Sequence, residues 1–237
     1  MYKMEGTVRY SECGPDNLLK ISSIVNYFQD CTTENSERIG VGHDFLAEKK
    51  RAWILNSWQV EIKRRPKVGE TIEVTTWATG FQGIMGPRDF QMHTADDEEL
   101  VRAHSLWVYI DTKTGRPTKP TEEDISAYDV EEALSMEQLS RKIKVPEGGV
   151  LVDTFPVHKY HIDTNKHMNN SKYVELAYEA VSENFQVKKF CVEYRKAAIY
   201  GDAIVLKRVV EDSRIVTELC SEQGDTYAIV EFIGESL

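Results

Sequence analysis

His161-Ile-Asp163-Thr-Asn165-Lys-His167-Met-Asn169-Asn170-Ser171-Lys-Tyr173 is the stretch on which the reading of this chain turns. It sets an Asp, an Asn and a His at alternate positions, directly before a helix predicted over residues 171–184. Tyr173, Leu176, Ala177, Ala180 and Val181 share one face of that helix. In an extended loop, residues two apart point the same way, so a carboxylate, an amide and an imidazole would converge. The N–H groups that open the helix would favour a developing negative charge at the same spot. An acid or base, an orienting amide and an electropositive helix end are what hydrolysis of an activated acyl group requires. Asp, Asn and Ser before a helix are also ordinary caps, and both readings stand at this point.

Working outward, the chain repeats one plan. Ahead of the first helix, predicted over 19–38, lie a strand at 7–10 and a Gly14-Pro15-Asp16-Asn17 turn. Ile21, Ile24, Val25 and Phe28 carry the helical spacing, and Gly40 supplies a stop. Strands are expected at 52–63, 71–79, 89–94 and 101–111, with a hairpin tip at 112–116. The second half runs strand 155–161, the Asp/Asn/His loop, the helix, then strands 188–195, 203–211, 215–221 and 226–233. Val60-Glu61-Ile62-Lys63-Arg64 and Val192-Glu193-Tyr194-Arg195-Lys196 hold equivalent places, with Gly69 and Gly201 each eight residues beyond the glutamate. The expected fold class is α+β, each half a long helix packed on an antiparallel β-sheet. Residues 1–128 form the first domain, 129–149 a linker that follows a connecting helix, and 150–237 the second domain.

A chain of 237 residues with 41% hydrophobic content builds a sizeable core, and its net charge of −10 argues against nucleic-acid binding. Positive charge clusters locally, in Lys63-Arg64-Arg65-Pro66-Lys67 and Lys49-Lys50-Arg51, where an acidic partner could dock. Cys13, Cys31, Cys191 and Cys220 are widely spaced and suggest neither a zinc site nor a disulfide framework. No apolar run approaches a membrane span. The N-terminus reads as a strand rather than a signal or transit peptide, so a cytoplasmic location is expected.

Aligning the helices through Ile24-Val25 and Tyr173-Val174 sets Asp16 against Asn165 and Leu18 against His167. Only the second half therefore has an imidazole there. Glu193, among Phe190, Cys191, Val192 and Tyr194, is the candidate distant member of the site, since partial burial tunes a carboxylate towards base chemistry. The alternative is an ion pair with Arg195. Cys191 shares the face of Glu193 and could be a nucleophile, although a small buried Cys is the commoner use. Ser171 lacks a nucleophile elbow and reads as a cap. His104, His158 and His161 have no comparable neighbours. His161, Asp163 and His167 lack a fourth metal ligand, and no glycine-rich phosphate cradle occurs, so no cofactor is expected.

At these residues the chain resembles the acyl-acyl carrier protein thioesterases, of the bacterial type related to the plant plastid enzymes. Trp58-Gln59-Val60-Glu61-Ile62-Lys63-Arg64 with Pro66 and Gly69, Thr76-Trp77, Arg88-Asp89-Phe90 and Ser105-Leu-Trp107-Val-Tyr-Ile-Asp111 carry the first half. Asp163-x-Asn165-x-His167-x-Asn169-Asn170-x-x-Tyr173 and Val192-Glu193-Tyr194-Arg195 carry the second. The resemblance implies two tandem hotdog domains and hydrolysis of fatty acyl-carrier-protein thioesters by carboxylate-activated water. It implies Asp163, Asn165, His167 and Glu193 as catalytic residues, with Glu193 as base and Asp163 as the rival for that role. Ile24, Phe28 and Trp58 would line an acyl cavity in the first half. The implied partner is acyl carrier protein, and a homodimer is compatible with it. Plant members carry a cysteine where this chain has Ala198, so a cysteine mechanism cannot run through that position. An acyl-CoA thioesterase and a non-catalytic acyl-binding protein on the same fold remain as alternatives.

Overall fold

The apolar repeat of Ile21, Ile24, Val25 and Phe28 winds the longest helix, α1 (Ile21–Arg38), whose buried face packs on the strands that follow. The computed structural model describes residues 1–137 and 139–236. The chain divides into two units, Met1–Asn56 with Lys63–Glu137, and Ser57–Ile62 with Gln138–Leu237. In the first, β1 (Tyr2–Thr7) precedes α1. After it come α2 (His43–Lys49), β2 (Arg51–Ile62), β3 (Thr71–Ala78), β4 (Met85–Thr94), β5 (Glu99–Asp111), β6 (Arg116–Pro117) and α3 (Glu122–Ile125). Strands β1, β3, β4 and β5 lie side by side in that order, all antiparallel. Phe28 meets Phe90 of β4 with ring centroids 5.0 Å apart, and both are fully buried. Burying a side chain of that size contributes about 1.5–3 kcal/mol.

The second unit comprises β7 (Val150–Pro156), α4 (Asn170–Tyr178), β8 (Phe185–Tyr194), β9 (Ala203–Glu211), β10 (Arg214–Cys220) and β11 (Thr226–Ser236). Its strand order is β8-β11-β10-β9-β7, again antiparallel. The second half of β2 belongs to this unit and pairs with β8 from Ser57 opposite Glu193 to Glu61 opposite Lys189. Phe190, Val192 and Tyr194 face α4. Tyr194 donates its hydroxyl to the Asn170 carbonyl, and its ring meets Tyr173 edge-on at 5.7 Å.

Several elements differ from expectation for identifiable reasons. The first strand ends at Thr7, and Tyr10–Glu12 form a 3-10 turn. Strand β7 likewise ends at Pro156, and Lys159–His161 form the matching turn. Helix α4 stops at Tyr178, because Ser182, Glu183 and Asn184 favour a turn that the Phe185 N–H closes on the Ser182 carbonyl. The connecting helix shrinks to the four residues of α3. Beyond it Val130 bridges Ala78, and several further backbone groups of this stretch are met by side chains. In the first unit Trp77 Nε1 donates to the Glu132 carbonyl, and the Leu134 N–H donates to Asp89 at 2.7 Å. In the second the Leu139 N–H donates to Gln59 and the Ile143 N–H to Glu193, at 3.1 and 2.8 Å.

Candidate active site

The loop before α4 is a tight turn, not the extended segment that alternate spacing suggests. Asp163 organises it. Its Oδ1 accepts the N–H groups of Asn165 (2.8 Å) and His167 (3.3 Å), drawing the chain around the carboxylate. The Asp163 N–H closes the turn on the His167 carbonyl at 2.8 Å, and Lys166 takes a left-handed conformation with φ 64°. The backbone of Asp163 is thereby brought against that of His167 by a closed turn rather than by strand alternation. Asn165 and His167 are exposed and Asp163 is half-buried. Asn169 then caps α4, its Oδ1 accepting from the Ser171 N–H and hydroxyl at 2.9 Å each. Ser171 is buried and committed to this cap.

Two flanking segments clasp the turn. The Asn169 N–H donates to the His161 carbonyl, and the Met168 N–H donates to the Ala198 carbonyl. The Ala198 N–H in turn donates to the buried Tyr173 hydroxyl at 2.8 Å. Gly201, at φ 92°, turns the flanking chain back so that its N–H reaches the Val157 carbonyl. Burial holds the His161 pKa below the usual imidazole value, with Lys172 and His158 adding to the effect.

Glu193 lies elsewhere. Residues on a strand alternate between faces, so with Tyr194 towards α4, Glu193 points to the other side. There its Oε2 accepts the Ile143 N–H and its Oε1 accepts from Arg195 Nε at 2.9 Å. Cys191 shares that face, packed with Ile143, Val216 and Ile229. Burial pushes the Cys191 thiol up to about 12, so it holds no thiolate near neutrality. Asp89 does the same work in the first unit: buried, it accepts the Leu134 N–H on one oxygen and faces His104 with the other. Each unit thus uses a buried carboxylate to hold a stretch of the chain between α3 and β7.

Ile24 and Phe28 sit fully buried in the first unit, and Trp58 lies on the part of β2 that belongs to the second. The basic clusters are largely neutralised internally. Lys63 pairs with Glu99, Arg64 with Glu70 and Glu98, Arg65 with Asp16, Lys49 with Glu123 and Asp124, and Arg51 with Asp111. Most charges of the two clusters thus meet carboxylates within the protein, while Lys50 and Lys67 have no ion pair among the described residues. Spacing showed the charges and could not show their intramolecular partners. Among the described residues, no helix is long and apolar enough to cross a membrane, and no group of three or more His, Cys, Asp and Glu could hold a metal.

Two protein-family models match the chain, the acyl-ACP thioesterase N-terminal domain over residues 1–128 and the acyl-ACP thioesterase C-terminal domain over residues 147–232. A chloroplastic acyl-carrier-protein hydrolase of Cuphea viscosissima is 28% identical over 213 residues, which cover 82% of this chain and 51% of the relative. The chain spans about half the length of the curated relatives it matches. An acyl-ACP thioesterase structure from Bacteroides thetaiotaomicron superposes with a TM-score of 0.90 at 20% identity, covering 98% of this chain and 97% of that one. The 12:0-ACP thioesterase from Umbellularia californica gives 0.89 at 22% identity, covering 100% and 97%. The fold is a tandem hotdog.

Proposed function

Since the chain belongs to the acyl-ACP thioesterase family, we propose that it hydrolyses the thioester of fatty acyl-carrier protein, and that Asp163, Asn165 and His167 do the chemistry. Water adds to the thioester carbonyl, the C–S bond breaks, and the products are a fatty acid and the free thiol of the carrier. The observation that carries this reading is the asymmetry of Asp163. One oxygen is spent on shaping the turn, while Oδ2 has no hydrogen-bond partner among the described residues and belongs to a side chain that is half-buried beside the exposed Asn165 and His167. Asp163 Oδ2 takes the proton of the attacking water, and His167 orients that water and relays the proton to the leaving thiolate. The Asn165 amide polarises the carbonyl, assisted by the positive end of α4.

Glu193 becomes a positioning residue in this scheme, because both of its oxygens are engaged on the far face of β8. The acyl chain is assigned to the apolar interior lined by Ile24 and Phe28, where each buried methylene contributes about 0.8 kcal/mol.

The test is free-thiol release from matched acyl-carrier-protein and acyl-CoA substrates by wild type, His167→Ala, Asp163→Asn and Glu193→Gln. Turnover should fall about 10²–10⁴-fold in the first two variants. Glu193→Gln should keep turnover within a few-fold, since a Gln oxygen still accepts the Ile143 N–H. A loss in Glu193→Gln equal to that in His167→Ala would return the base role to Glu193. Faster release from CoA than from the carrier would move the enzyme to the acyl-CoA class. No release from either would leave an acyl-binding protein.

A further inference from the structure

With most charges of the long basic runs paired internally, a protein of net charge −10 offers an acidic carrier a stronger local attraction where unpaired cations gather beside apolar surface. That surface lies on the rim of the catalytic turn, within the second unit. Lys166 is exposed at the tip of the turn and Lys159 on the 3-10 turn that leads into it. Neither has a carboxylate partner among the described residues. The other cations nearby are spent: Lys172 on Glu175, Arg195 on Glu193 and Lys196 on Asp225. Each of the two neighbouring carboxylates already accepts hydrogen bonds from within the protein. Asp163 holds backbone N–H groups, and Asp202 accepts from the Ile199 N–H and the Tyr227 hydroxyl.

Two further observations single out this rim. Tyr160 is 72% exposed, Tyr200 60% and Ile199 51%. The Lys159 ammonium sits 5.9 Å over the Tyr200 ring, so this apolar surface and the charge are contiguous. Exposed tyrosines are enriched in protein-binding patches, and unpaired cations beside them complement an acidic partner. Second, Lys166 adopts a left-handed conformation, which costs a side-chain-bearing residue about 1 kcal/mol. The equivalent residue of the first unit is Asn17, at φ 60°, a type that tolerates this region. A lysine held there at the expense of strain points to use of its charge.

We infer that Lys159, Lys166, Tyr160, Ile199 and Tyr200 form the docking surface for the acidic face of the carrier protein, delivering its thioester arm to the turn they surround. The inference rests on the thioester reading above and names the surface through which the partner is recognised. Binding of holo carrier protein without an acyl group, measured by fluorescence anisotropy, tests the surface apart from the chemistry. Hydrolysis of a short acyl-pantetheine, which carries no protein and no phosphate, tests the chemistry apart from the surface.

The variants are Lys159→Gln with Lys166→Asn, the latter restoring the residue type of the first unit, and Lys67→Gln as a control on the corresponding rim of the first unit. The double variant should weaken carrier binding about tenfold at low ionic strength, and added salt should erase the difference. Its acyl-pantetheine turnover should match wild type, and Lys67→Gln should bind as wild type does. Unchanged carrier binding in the double variant would overturn the surface, as would an equal loss in Lys67→Gln. A double variant with lost acyl-pantetheine turnover and intact carrier binding would place these lysines in the chemistry and also overturn it. Wild type that binds carrier through this surface yet cleaves neither substrate would keep the surface and remove the hydrolase reading.

Discussion

Ahead of α1 and α4 the backbone makes the same turn twice. Gly14 N–H closes on the Leu18 carbonyl at 2.9 Å in one unit, and Asp163 N–H closes on the His167 carbonyl at 2.8 Å in the other. Asn17 and Lys166 both sit in the left-handed region. Leu19 and Met168 both donate to the chain beyond the second strand of their unit, at Pro66 and Ala198, and Lys20 and Asn169 donate to Glu12 and His161. The side chains diverge. Asp16 is paired with Arg65, which also donates to the Leu19 carbonyl, so the first turn is closed over by a guanidinium. At the position equivalent to Arg65 the second unit has Ala197, which is exposed and leaves Asn165 open. A duplicated backbone has become a plugged turn in one copy and an accessible one in the other.

The comparison breaks most severely if the second turn is rewritten as the first. Asp163→Gly, Asn165→Asp and His167→Leu together should lower thiol release by about a thousandfold or more. The far-ultraviolet circular dichroism should stay native-like, because the first unit folds with those residues. Retained turnover would mean that the chemistry lies outside the turn.

A smaller effect should come from supplying only the plug. Ala197→Arg places a guanidinium over the turn, within reach of Asp163 and Asn165. Turnover should fall roughly ten- to a hundredfold through displaced substrate, with little change in melting temperature. A variant as active as wild type would show that substrate does not approach past residue 197.

A third experiment sharpens the comparison in the core. Ala198 has an N–H that needs an acceptor, and the Tyr173 hydroxyl provides it. Pro66 has no N–H, and its unit has Ile24 where the other has Tyr173. Tyr173→Phe should destabilise by about 1–3 kcal/mol, the cost of a buried unpaired donor. Adding Ala198→Pro removes the donor, so the double variant should be more stable than the summed single effects predict by about 1 kcal/mol or more. Additive costs in denaturant titrations would show that the pair is not coupled.

The smallest effect concerns Glu12 and His161, which hold the same place in the two 3-10 turns. The folded-state pKa of His161 is depressed, so the unfolded chain binds a proton that the native state resists. The stability from keeping it neutral is present above about pH 6.5, the unfolded value, and is lost as pH falls below it through the lower folded-state pKa. The melting temperature of wild type should therefore drop more between pH 7.5 and 5.5 than that of His161→Gln. Parallel curves would show that His161 does not couple to folding.

Much of this was legible in the residues. The equivalence of Asp16 with Asn165 and Leu18 with His167 follows from aligning two helical repeats, and the backbone bonds agree with it residue by residue. Glu61 and Glu193, each eight residues before a glycine, predict the returns at Gly69 and Gly201, both at positive φ. The shape of the turn before α4 was not legible, because alternate spacing fits an extended loop and an Asp-centred turn equally well. Nor was the side to which Glu193 points. Burial was foreseen, but the Ile143 N–H that claims its carboxylate comes from fifty residues earlier in the chain.

The duplicated plan, the helix faces and the residue types available for chemistry are readable from the residues alone, since periodicity and turn chemistry are local properties. Which charges remain free is set by the folded arrangement of the chain. Lys63, Arg64 and Arg65 look as available in the sequence as Lys159 and Lys166 do, yet the first three meet carboxylates brought from elsewhere in their unit. Ion pairing depends on distance in space, which falls off within a few ångströms and which no local pattern encodes.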